Sequence, residues 1–264
     1  MLILIASTYD ELSHWAARII AKAVRQNPKP VIGLASGSTP LGTYRELARM
    51  HKDQSLDFSQ VTTFNLDEYV GLTPEHPRSY HHFMHRNLFD HINIQGSNVH
   101  IPDGSLREGF EDYCASYEGA IQAAGGIDLQ VLGIGRHAHI GFNEPGSSLA
   151  SRTRLKTLTE QTVEDNRRFF QSEEAVPEAA ITMGVGTIME ARRILLLASG
   201  EHKANAIQKA LEGPVSASAS ASVLQLHPNV TVILDEEAAR ELKEKDYYRR
   251  VVEMTARLTP ERLW

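Results

Sequence analysis

The chain has 264 residues, of which 42% are hydrophobic and 23% charged, a balance that excludes a disordered or fibrous molecule and suits one α/β unit. Its 27 lysines and arginines against 33 aspartates and glutamates give a net charge of −6 without a long basic run, which argues against nucleic acid as the main partner. The lone Cys114 rules out an intramolecular disulfide, and its helix-like surroundings read as a buried structural thiol in a reducing, cytoplasmic setting.

Met1 to Ala6 is an apolar run too short to span a membrane and without the basic segment of a signal peptide, so it reads as a first strand. Thr8 and Glu11 stand at capping-box spacing, and Leu12, Trp15, Ala16, Ile19, Ile20 and Ala23 then recur at helical intervals. A helix follows. Val31 to Ala35 is a second short strand, and Ser36-Gly37-Ser38-Thr39-Pro40 leads from it into a helix for which Thr39 is the predicted cap and Pro40 the first residue. Small residues there let a phosphate approach the unpaired N–H groups and the positive end of the helix dipole, an ordinary capped turn being the alternative. No Gly-Lys-Ser/Thr follows, so this is not a Walker A loop.

Val61 to Asn65 is a third strand, and Leu66-Asp67-Glu68-Tyr69 comes directly after it. The carboxyl ends of parallel strands face the ligand crevice, which makes Asp67 a candidate catalytic carboxylate; a helix cap or turn is its structural alternative. His81, His82 and His85, after Tyr80, include a pair at helical spacing with no carboxylate or thiol to complete a zinc site. Leu129 to Ile134 is a fourth strand, and it runs into Gly133-Ile134-Gly135-Arg136-His137-Ala138-His139-Ile140-Gly141-Phe142-Asn143-Glu144-Pro145. Histidines beside a carboxylate move protons near neutral pH, so His137, His139 and Glu144 are catalytic candidates. The segment is neither a dinucleotide fingerprint nor a plausible metal site.

Arg168 and Lys203 are isolated cations that can clamp an anion or simply be solvated. Ile194 to Ala198 and Val230 to Leu234 are further strands, and the small-residue run Ser216 to Ser222 reads as a loop. Apolar strands separated by amphipathic helices predict an α/β fold: a single-domain, Rossmann-like, doubly wound and mostly parallel sheet with helices on both faces, spanning 1–264.

Taken together, these motifs resemble the glucosamine-6-phosphate deaminase family along nearly the whole chain. The carriers are Ser36-Gly37-Ser38-Thr39-Pro40, Phe64-Asn65-Leu66-Asp67-Glu68-Tyr69-Val70-Gly71-Leu72, His139-Ile140-Gly141-Phe142-Asn143-Glu144-Pro145, Ser151-Arg152-Thr153 and Leu224-Gln225-Leu226-His227-Pro228. The resemblance implies that glucosamine 6-phosphate and water become fructose 6-phosphate and ammonia without a metal or cofactor. It implies that Ser36, Gly37, Ser38, Thr39, Arg168 and Lys203 hold the sugar phosphate. Asp67 would move a proton between C2 and C1, and His139, supported by Glu144, would open the pyranose ring. The family usually has Asp or Asn and then Gly before that histidine, where this chain has His137 and Ala138. His137 would put a second titrating group in the site, and Ala138 would be strained if the backbone needs a positive φ. Some members are hexamers activated by N-acetylglucosamine 6-phosphate. Ser147, Arg154, Lys156 and Thr157 match positions used there, so a homo-oligomer with this activator is the expectation. The competing readings are a catalytically impaired sugar-phosphate sensor and a 6-phosphogluconolactonase. The Phe142-Asn143-Glu144-Pro145 run argues against the second.

Overall fold

A computed structural model describes residues 1–168, 170 and 175–263. The apolar runs become the strands β1 (Leu2–Ala6), β2 (Val31–Leu34), β3 (Thr62–Asn65), β6 (Leu129–Leu132), β9 (Ile194–Ala198) and β10 (Val230–Asp235), joined by the two-residue β5 (Val99–His100). All seven lie parallel in the order β1-β10-β9-β6-β2-β3-β5. Parallel strands need crossover connections, and most of these are the helices α1 (Tyr9–Gln26), α2 (Leu41–Gln54), α4 (Phe110–Ala123) and α7 (Ala204–Glu212).

Successive side chains of a strand point to opposite faces, so the sheet buries two separate cores. Val232, Leu196 and Leu132 stand side by side on one face and meet Tyr117 and Ile121 of α4 and Ile207 and Leu211 of α7. Leu4, Ile233 and Leu197 line the other and meet Leu12, Ala16 and Ile20 of α1 and Leu47 of α2. The burial of these side chains, roughly 1.5–3 kcal/mol for each large one, is what drives the layers together.

α1 starts at the predicted cap: Thr8 Oγ1 accepts from the Glu11 N–H at 3.1 Å. The return bond differs from an ordinary capping box, because Glu11 reaches the Ser7 N–H at 2.7 Å rather than that of Thr8. Thr39 does not cap α2. The cap position is Pro40, which offers no side-chain acceptor.

A second sheet had no counterpart among the apolar runs. β4 (Asp67–Tyr69), β7 (Arg154–Thr157) and β8 (Ala179–Thr182) pair antiparallel in the order β4-β8-β7. Two of these strands read Asp-Glu-Tyr and Arg-Leu-Lys-Thr, too short and polar to register as strands. Asp67 is therefore a strand residue, not a cap or a turn. The small sheet joins the large one where Leu66 donates to the Leu34 carbonyl at 3.0 Å and accepts from the Met183 N–H at 2.7 Å.

The helix α3 (Tyr80–Asn87) carries the histidine triplet, with the His81 and His85 rings stacked 4.7 Å apart. The remaining helices are α5 (Glu160–Arg167), α6 (Val185–Met189) and α8 (Lys245–Leu258), the last lying against β1. Cys114 is buried in α4, as expected. Among the described residues no helix is long and apolar enough to cross a membrane.

Between β2 and β6 the buried Gln130 side chain crosses over Gly33, where an added Cβ would fall 2.0 Å from Gln130 Oε1. Gly33→Ala must push that amide aside in a filled core. We expect a loss of about 1–3 kcal/mol, seen as an earlier urea midpoint with an unchanged slope.

Candidate active site

A cleft of about 160 Å³ opens beyond the carboxyl ends of β2, β3 and β6, and a second space of about 400 Å³ adjoins it. His139, Arg168 and Lys203 border both. The first wall is the loop after β2. Gly37, at φ 100°, turns the chain there so that Ser36 to Thr39 lie along the cleft just ahead of α2. Among the described residues, neither the Ser38 nor the Thr39 hydroxyl is hydrogen-bonded within the protein. This is an anion-receptive helix start with its hydroxyls still on offer.

Asp67 forms the floor. The residue is only 7% exposed, and burial pushes its pKa up to about 8, with the neighbouring Glu68 charge adding to the effect. Glu68 points away: it accepts from its neighbour Tyr69 N–H and, at the start of α3, from the Tyr80 and His81 N–H groups, at 2.9 Å each. Gly141, at φ 55°, passes over Asp67: a Cβ there would lie 2.9 Å from Thr182 Oγ1 and 3.6 Å from Asp67 Oδ2. The absent side chain leaves the carboxyl open to the cleft.

The His139 ring takes the place that a side chain on Gly135 would need, with Nε2 2.0 Å from that Cβ position. Its Nδ1 lies 3.4 Å from Glu144 Oε2. The two are misaligned for a hydrogen bond, yet neither buried atom has another partner among the described residues. Glu144 therefore occupies the Nδ1 side, and Nε2 lies against Gly135, itself a residue of the cleft wall. Burial lowers the His139 pKa, and the Glu144 charge opposes the shift; the lowering favours the neutral ring.

His137 does not line the cleft, although its charge also acts on His139. Ala138 does adopt a positive φ, 55°, a conformation that costs a residue with a Cβ about 1 kcal/mol. Its methyl is fully buried in the core, and its backbone bonds to Gly135 and Ala221, so the fold holds the turn in place.

Lys203 precedes α7 and donates to the Ile134 carbonyl at 2.7 Å. Burial, with the Arg168 charge adding to the effect, brings its ammonium down to about 8. Lys203 and Arg168 border the same space, and an anion between them would relieve the repulsion of the two charges. Tyr80, Phe142 and Asn166 also line the cleft and were not singled out by sequence. Tyr80 stacks on Phe142 at 6.2 Å, a contact between distant segments that no local pattern announces.

The remaining candidates stand elsewhere. Arg154 and Lys156 share one side of β7 and Thr157 takes the other, while Ser147 is buried. Arg154 is already committed, donating to Asn143 Oδ1 at 2.9 Å. No group of three or more His, Cys, Asp or Glu side chains among the described residues is arranged to hold a metal ion.

Residues 6–233 match the family model described as glucosamine-6-phosphate isomerases/6-phosphogluconolactonase. The glucosamine-6-phosphate deaminase of Thermoanaerobacter pseudethanolicus is 53% identical over 93% of this chain and 97% of its own length. Glucosamine-6-phosphate deaminase 2 of Bacillus subtilis is 52% identical over 94% of this chain and 100% of its own. Among solved structures, a monomeric glucosamine-6-phosphate deaminase superposes with a TM-score of 0.89 at 48% identity, over 91% of this chain and 100% of that one. The 6-phosphogluconolactonase from Trypanosoma cruzi, with a TM-score of 0.73 at 21% identity over 92% and 97% of the two chains, shares the fold alone. With the deaminase relatives matching end to end, the chain belongs to the glucosamine-6-phosphate deaminase family.

Proposed function

We infer that this chain, as one domain, converts glucosamine 6-phosphate and water to fructose 6-phosphate and ammonia. The observation that carries the reading is the convergence, in one cleft, of an open helix-start loop, two cations, a buried Asp67 and a His139–Glu144 pair.

The phosphate docks on the Ser36 to Thr39 loop between Lys203 and Arg168, which leaves the sugar ring over Asp67. His139, through Nε2, takes the proton of the C1 hydroxyl and returns one to the ring oxygen, and the chain form with a C1 aldehyde results. Glu144 stabilises the imidazolium formed between the two transfers. Asp67 removes the C2 proton while a proton of the C2 ammonium passes to O1, giving an enolamine, and Asp67 then delivers its proton to C1 so that the double bond moves to C2 and nitrogen as an iminium. Water adds to that C2 iminium, the C–N bond breaks, and ammonia leaves the ketone of fructose 6-phosphate. A base with a pKa near the working pH combines proton affinity with a usable ionised fraction, which is what burial gives Asp67.

The lactonase reading is weaker because it has no use for a buried carboxyl beside C2. Activation by N-acetylglucosamine 6-phosphate and assembly into a homo-oligomer remain part of the proposal. Ser147 is buried, and Arg154 and Lys156 stand on the opposite side of β7 from Thr157, so an activator at these residues would call on a second copy. Breakdown of N-acetylglucosamine in the cytoplasm is the setting we propose.

Purified protein should release ammonia and fructose 6-phosphate in equal amounts from glucosamine 6-phosphate and leave 6-phosphogluconolactone intact, with the activator tested in parallel. Asp67→Asn keeps the shape but cannot accept the proton, so kcat should fall by roughly 10²–10⁴-fold with KM little changed. Binding without turnover by the unmodified chain would favour the impaired sensor.

The pH profile follows from two groups. Asp67 must be ionised, so kcat/KM rises with pH through about 8. Lys203 must be charged to hold the phosphate, so kcat/KM falls again above about 8. A narrow bell centred near pH 8 is expected. In kcat the alkaline limb moves upward, because bound phosphate holds the proton on Lys203. A flat profile from pH 6 to 9 would contradict both assignments.

A further inference from the structure

The start of α2 is built in an unusual way, and the group that completes it comes from another helix. Gly42 is the second residue of α2, and its N–H has no partner inside the helix. In most helices the cap side chain accepts it, and here the cap is Pro40, which cannot. The acceptor is the hydroxyl of Tyr9, at 2.8 Å, from the first turn of α1.

The same hydroxyl donates to the carbonyls of Thr39, at 3.0 Å, and Ser38, at 3.2 Å. One oxygen thus holds both the helix start and the loop before it. Gly42 makes this reach available: a Cβ there would strike Ser13 Oγ at 2.2 Å and the Tyr9 ring at 3.1 Å.

Two consequences follow from stereochemistry. In a trans peptide the carbonyl and the next N–H point opposite ways. Drawing the Ser38 carbonyl toward α1 therefore turns the Thr39 N–H away from α1, in a loop that borders the cleft. Because Tyr9 supplies the cap, neither Ser38 nor Thr39 spends its hydroxyl on the helix, and both remain for a ligand. An ordinary capped turn would use them up.

We propose that Tyr9 is a positioning residue for phosphate, holding the Ser36 to Thr39 loop in its receptive form without touching substrate. The proposal rests on the reading that this loop holds the phosphate. A preformed loop loses less entropy on binding, so the effect belongs in affinity and not in the chemical step.

Tyr9→Phe keeps the ring and deletes only the hydroxyl. KM and kcat for glucosamine 6-phosphate, and the Kd of inorganic phosphate by calorimetry, are measured below the melting temperature of both proteins. KM and the phosphate Kd should rise together, by about five- to tenfold, as for loss of one net hydrogen bond, with kcat changed by less than about twofold. A lower melting temperature with KM and Kd unchanged would overturn the proposal, since Tyr9 would then be a helix cap only. Thr39→Ala separates the two readings. If it weakens phosphate while Tyr9→Phe does not, the role of Tyr9 fails; if neither variant weakens phosphate, the loop assignment itself fails.

Discussion

The arrangement depends on burying the Asp67 carboxyl at the seam between two sheets. β3 ends at Asn65, and Leu66 spans the seam by bonding to Leu34 on one side and Met183 on the other. Asp67 then pairs with Thr182 of β8, so the strand that follows fixes its backbone. A carboxylate taken from water resists ionisation, and that penalty sets its proton affinity. Glu68 is buried beside it and is pushed up to about 7, but the Tyr69 amide and two amides at the start of α3 hold it in place and favour its charge. Adjacent residues in one strand thus serve different ends: Glu68 fastens α3, and Asp67 faces the cleft.

The segment from Gly135 to Glu144 is fixed with similar care. Asn143, wholly buried, donates to the carbonyls of Ile140 at 2.8 Å and Met183 at 2.9 Å, and its own carbonyl accepts from Ser220 at 2.9 Å. Thr182 accepts from the Phe142 N–H at 3.0 Å. These bonds tie the histidine loop to the small sheet, so His139 and Asp67 share one frame. That rigidity accommodates Ala138 in a conformation that favours glycine. Other family motifs serve structure at a distance. Gln225 donates to the carbonyls of Ala210 and Gly213 at the end of α7, and Thr153 is anchored to the buried Glu118.

The central sheet was legible because buried parallel strands are apolar along their whole length, as in Ile194 to Ala198. The loops after β2, β3 and β6 could be singled out because ligand sites gather at strand ends. The small sheet was not legible, since its strands are short and carry charges that the fold partly buries. Tyr9 was hidden for another reason. Its role lies in a contact across 30 residues, and locally it is only the first residue of a helix. The Thr39 cap went wrong on the same account, because a tertiary partner had taken the local role. His137 shows the converse: Gly135 and His139, two residues to either side, line the cleft, and its own side chain is not among the groups that do.

The claim most exposed to test is that one shielded carboxyl, Asp67, carries the proton from C2 to C1. Glucosamine 6-phosphate deuterated at C2 can be turned over in ordinary water and the fructose 6-phosphate analysed by mass spectrometry and NMR. The account predicts a slowed reaction and deuterium retained at C1 in a measurable fraction of product, because a buried carboxyl exchanges slowly with solvent. Full-rate turnover with no deuterium at C1 would contradict it, since the C2 proton would then be leaving by another route.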